Sequence, residues 1–78
     1  MNRIRRRELQ ALLDQIEEVR EALEVIKEEE ECYRENMPEN LQSSARAETA
    51  DEAISNMESA LDELDSVFSS IESAMGEQ

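Results

Sequence analysis

The chain has 78 residues, 21 acids against 8 bases for a net charge of −13, no His, no Trp, and one each of Gly, Pro and Cys. Without imidazole there is no Ser/His/Asp or Cys/His pair and no mixed His/Cys metal cage, and a lone cysteine excludes an internal disulfide and a four-thiolate zinc site. The negative charge opposes nonspecific affinity for nucleic acid or anionic membrane over most of the surface.

A chain of this length buries only about 60% of its unfolded surface, so with disulfides and His/Cys metal sites removed it needs very regular helix packing, self-association, or both. The first predicted element supplies the pattern for that. Leu9, Leu12, Ile16, Val19, Leu23, Ile26, Glu30, Tyr33 and Met37 alternate in steps of three and four, which predicts an amphipathic helix over about residues 3–35. Leu13, Ala22 and Val25 form a shoulder that widens the stripe. Glu30 is its polar member, expected near the turn opposite Asn40 and Ser43 as a register-setting contact. Helical spacing pairs Arg20 with Glu17 or Glu24, Lys27 with Glu24 or Glu31, and Arg34 with Glu30 or Glu31. Cys32 lies among Glu28, Glu29, Glu31 and Glu35, whose charge opposes thiolate formation, so it reads as a small packing residue rather than a reactive thiol.

Arg3, Arg5, Arg6 and Arg7 stand at the start of this helix, where the macrodipole disfavours cations. The preferred explanation is that they neutralise the end of a partner helix carrying Asp62, Asp65 and Glu72. A contact with RNA or an acidic partner is the sharper alternative.

Chain-reversal signals cluster in Glu35-Asn36-Met37-Pro38-Glu39-Asn40-Leu41-Gln42-Ser43-Ser44. Pro38 disfavours helical geometry at Met37 and is tolerated in the first turn of a new helix, which predicts a turn over about residues 36–43. Asn36 with Glu39 has capping-box spacing, and Ser43 or Ser44 offers a second helix start; both remain open. The connection is too short for a parallel return, so the helices fold back antiparallel.

The second predicted helix spans about residues 44–75. Ala47, Ala50, Ile54, Met57, Leu61, Leu64, Phe68, Ile71 and Met75 follow the heptad alternation without interruption, with Ala53, Ala60, Val67 and Ala74 as a shoulder. The methionines read as core filler. The predicted fold is all-α: one antiparallel, coiled-coil-like hairpin domain, zipped by the apolar residues from Leu9 to Ile26 and from Ile54 to Ile71. Two shouldered stripes are wider than a single facing helix covers, which predicts dimerisation into a four-helix bundle.

The turn carries a resemblance. Glu35 to Ser44, followed by Ala53-Ile54-Ser55-Asn56-Met57-Glu58-Ser59-Ala60-Leu61-Asp62-Glu63-Leu64, resembles a group of small acidic helical-hairpin proteins of unknown function from bacteria and their phages. In that group an "ENMPENLQ-S" type turn precedes an "A-I-x-N-x-E-x-A-L/I-x-x-L" helix. The likeness covers the middle and later half, while helix one matches only in its pattern of Leu, Ile and Glu. It implies a bacterial or phage origin and a two-helix fold, with no catalytic residue to carry over. The Arg-rich start and Ser-rich second helix depart from the group's pattern.

Neither a catalytic residue nor a cofactor is expected. Glu17, Glu21 and Glu24, or Glu28 and Glu31, lack the Glu-x-x-His pairs that helical di-metal carboxylate sites recruit, so no metal is expected either. The first functional reading is a non-enzymatic adaptor that self-associates as a homodimer and offers an acidic surface to a protein partner. The second is a nucleic-acid mimic inhibiting a nuclease or host defence protein, since residues 8–78 hold 21 acids and 4 bases and helix two contributes only Arg46. The third is an RNA-binding hairpin dimer using Arg3, Arg5, Arg6 and Arg7. No apolar run is long enough for a membrane span and no signal peptide follows the basic start, so the expected location is the cytoplasm.

Overall fold

The computed structural model describes residues 1–76. Helix α1 runs Arg3–Glu35 and helix α2 runs Ala45–Met75, joined by a linker with one 3₁₀ turn at Glu39–Leu41. The helices pack antiparallel into a rod of 59 × 15 × 15 Å. Among the described residues, no helix is long and apolar enough to cross a membrane.

Local chemistry sets each helix end. Asn2 caps α1 through its side-chain oxygen, which accepts from the Arg5 N–H at 2.8 Å. At the other end the Asn36 N–H donates to the Cys32 carbonyl at 3.0 Å, so Asn36 closes α1 and opens nothing. The capping-box alternative at Asn36 and Glu39 is thereby corrected: Pro38 holds extended backbone there and only the 3₁₀ turn follows it. Ser44 is the cap of α2. Its hydroxyl donates to the Leu41 carbonyl at 2.6 Å and accepts from the Ala47 N–H at 3.2 Å. Ser44→Ala removes both bonds and is expected to cost about 1 kcal/mol, readable as a lower urea midpoint with an unchanged slope. Gly76 ends α2 at φ 74°, a left-handed conformation that suits glycine.

Two ion pairs fix the register. Arg20 meets Asp65 and Arg34 meets Asp51, so each step up α1 is matched by one step down α2. On α2 the seam is Ala47, Ala50, Ile54, Met57, Leu61, Leu64, Phe68, Ile71 and Met75, all buried or half-buried. Met37, Ala47 and Ala50 form a buried cluster beside the turn, where two alanines let the chains approach closely.

On α1 the seam differs from the expected stripe. The buried and half-buried heptad positions are Arg6, Leu9, Leu13, Ile16, Arg20, Leu23, Lys27, Glu30, Arg34 and Met37. Leu9, Ile16 and Leu23 are shared with the expectation, but Leu12, Val19, Ile26 and Tyr33 are exposed and the column one residue later replaces them. Leu13, read as a shoulder, is 3% exposed, whereas Leu12 is 45% exposed. Turned this way, α1 brings Arg20 and Arg34 to Asp65 and Asp51, which flank the α2 seam, while Leu13 fills the core. Glu30 accordingly lies level with Ile54 to Met57, not with Asn40 and Ser43.

Candidate functional site

The register gives the hairpin two unlike edges. Along one edge, Arg20, Lys27 and Arg34 repeat every seven residues on α1, level with Asp65, Glu58 and Asp51 on α2. Arg20 Nε donates to Asp65 Oδ1 at 2.6 Å and Nη2 donates to Oδ2 at 3.2 Å, a two-pronged pair over a groove lined by Ile16, Leu64 and Phe68. Arg20 also reaches Glu24 at 3.6 Å, and Lys27 reaches Glu24 at 3.8 Å. Both α1 pairings follow helical spacing.

Arg34 takes different partners from those the spacing suggested. Instead of Glu30 or Glu31, its Nε donates to Asp51 Oδ1 at 2.8 Å, Nη1 donates to Gln42 Oε1, and Nη2 donates to the Gln42 carbonyl at 3.2 Å. The Gln42 amide in turn donates to the Met37 carbonyl at 2.6 Å. One guanidinium thus ties α1, the linker and α2 together, a use of five donors that Lys could not reproduce.

The hydrogen bonds from Arg20 hold the Asp65 carboxyl below its ordinary value of 3.8, against a smaller desolvation effect, and raise the Arg20 guanidinium. A depressed carboxylate stabilises the folded state above its unfolded pKa and loses that contribution as pH falls through the folded pKa. The melting temperature of Asp65→Asn should therefore lie below that of the parent at neutral pH. The gap should close as pH drops below 3.8, measured by thermal melts of both chains in matched buffers.

The opposite edge is apolar. Leu12, Val19, Ile26 and Tyr33 form one heptad column on α1, between 45% and 55% exposed. The register sets them level with Ala74, Val67, Ala60 and Ala53, the column of α2 on the side away from Asp51 and Asp65. Leu12 and Val19 line an apolar groove with Ile16, Leu64 and Ile71. Outward of this row stand Gln15, Ala22, Asn56 and Ser70, with charge only at Glu29 and Glu63 in that span. The groups expected to zip the hairpin thus fall into two sets. Leu9, Ile16, Leu23, Ile54, Met57, Leu61, Leu64, Phe68 and Ile71 lie along the helix pair's seam, while Leu12, Val19 and Ile26 form an open face.

At the open end of the rod, Arg6 Nε donates to the Met75 carbonyl at 3.1 Å, where it meets the negative end of the α2 dipole. Of the acids proposed for the arginine cluster, Asp65 is taken by Arg20, about four turns further along. Arg3, Arg5 and Arg7 are exposed. Cys32 is exposed as well, a correction to its reading as a packing residue; it shares an outward column with Ile4, Ala11 and Val25. Among the described residues, no three His, Cys, Asp or Glu side chains converge to hold a metal ion. The hairpin thus has one apolar and one salt-bridged edge, with Arg3, Arg5 and Arg7 exposed at the open end. Comparison with protein-family models, curated proteins and solved structures finds no match to this chain.

Proposed function

We propose that the chain is a non-enzymatic interaction module that self-associates through its apolar edge into a four-helix bundle and offers its acidic exterior to a protein partner. The supporting observation is the unbroken apolar row of Leu12, Val19, Ile26 and Tyr33 beside Ala53, Ala60, Val67 and Ala74, spanning six turns, with Glu29 and Glu63 the acids on its outer side and Glu30 the one on its seam side. Monomeric proteins seldom leave so continuous an apolar row open to water. The likeness at the turn to bacterial and phage hairpin proteins fits this reading, with the cytoplasm as its setting. Light scattering on a sizing column at micromolar concentration tests it: a mass near twice 9.0 kDa is expected, and a monomer that melts cooperatively at every concentration would refute it.

The mimic of a nucleic-acid backbone ranks second, supported by the net charge of −13. Against it, two of the most regularly spaced acids, Asp51 and Asp65, are already neutralised by Arg34 and Arg20. Capture on a basic nuclease that fades steeply with salt would promote this reading. The RNA reading is weaker still, because Arg6 is engaged by the Met75 carbonyl.

A further inference from the structure

Charge along the rod is polarised as sharply as the two edges are. The first ten residues hold four arginines and one acid, whereas residues 28–52, which surround the turn, hold nine acids and two bases. The open end is therefore cationic on α1 and the closed end strongly anionic. The apolar row spans residues 12–33 of α1, so its midpoint falls between Ala22 and Leu23. Two hairpins can stack these faces about a twofold axis in only two ways. Turns at the same end lay α1 on the partner's α2 and bring the two anionic ends together. Turns at opposite ends lay α1 on the partner's α1.

We infer that the occupant of the apolar edge is a second copy of this chain with its turn at the opposite end, and that the cationic open end, with Arg5 in the Leu12 column, selects this orientation. The inference rests on the self-association proposed above and adds its geometry. A twofold axis at the row's midpoint places Leu12 over the partner's Tyr33 and Val19 over the partner's Ile26. The same axis carries residues 3–7 past the partner's Glu35 to the level of its linker and the start of its α2, the anionic closed end, with Arg5 as the member in the column of Leu12, Val19 and Ile26. The α2 columns then meet as Ala53 over the partner's Ala74 and Ala60 over the partner's Val67, small residues that allow close approach. The hairpin exposes 5906 Å², against about 4,900 Å² for a compact monomer of 9.0 kDa. The excess comes from the 59 × 15 × 15 Å rod shape, and a second copy stacked along the apolar edge brings the pair toward compact proportions.

Disulfide trapping distinguishes the two arrangements. V19C, I26C and V67C are each made in the full chain carrying C32S, checked for helicity, mixed in pairs and oxidised. Opposed turns put Val19 beside the partner's Ile26 and about 10 Å along the axis from the partner's Val19, too far for a bond. The V19C and I26C mixture should therefore give a mixed disulfide at least tenfold over either homodimer. A dominant V19C and V67C product would mean turns at the same end, overturning the orientation while leaving self-association standing. A dimeric mass with neither product would place the contact on another face and overturn the inference, and a monomeric mass throughout would overturn both. As a second measurement, the combined R3Q, R5Q and R7Q variant keeps Arg6 on Met75 and should weaken the dimer on the order of tenfold in low salt. That difference should shrink toward 1 M salt, where the Debye length is about 3 Å. Unchanged low-salt affinity would remove the cationic open end as the source of the orientation.

Discussion

Leu13→Ala is expected to cost the hairpin about 2–5 kcal/mol, enough to unfold a large fraction of so small a protein, because it empties a closed site in the seam. Leu12→Ala, one residue earlier and identical in chemistry, should cost about 1 kcal/mol or less at low protein concentration, where the half-exposed side chain loses little burial and alanine favours the helix. Urea unfolding at a series of protein concentrations separates the two. The Leu13 penalty should persist at every concentration, whereas under the proposed self-association the Leu12 penalty should grow with concentration. Equal penalties at the lowest concentration would restore Leu12 to the helix seam and refute the register described above.

The second large effect concerns the open face alone. In the combined Val19→Glu and Ile26→Glu variant, each hairpin keeps its own core, because both positions are about half exposed. A dimer, however, must bury four carboxylates with no cation facing them. Association should weaken more than about a thousandfold, given the several kcal/mol that each unpaired buried charge costs. The mass by light scattering should fall to 9.0 kDa with the helical circular dichroism retained, and the melting temperature should stop depending on dilution. Loss of helicity in the variant at low concentration would show these positions to be needed inside one hairpin.

The two helices were unequally legible, and the reason is physical. On α2 both columns of the stripe are apolar from Ala47 to Met75, and one flank is acidic at Asp51, Glu58, Asp65 and Glu72, so only one face can turn inward. On α1 the column Leu9, Ile16 and Leu23 has an apolar neighbour on one side, Leu12, Val19 and Ile26, and a mixed neighbour on the other, Arg6, Leu13, Arg20, Lys27 and Arg34. Hydrophobicity alone favours the first neighbour. The second faces α2, where its cations meet acids on the other helix, a pairing that no scan of α1 by itself contains. Matching the seven-residue spacing of Arg20, Lys27 and Arg34 against that of Asp51, Glu58 and Asp65 was the readable signal. The partners of Arg34 were hidden for a similar reason: Gln42 and Asp51 come within reach only after the chain reverses.

That reversal bears on how the molecule acquires its shape. Contacts beside the linker join residues close in sequence, such as Met37 with Ala47, and every later rung lies only a few residues further along each arm. Closing the first loop brings the next pair within reach at little additional entropic cost. Formation should proceed like a zip from the bend outward, on the microsecond to millisecond scale of locally wired helical proteins. Amide exchange should then be slowest between the bend and Leu61, with the ends near Arg6 and Met75 opening first.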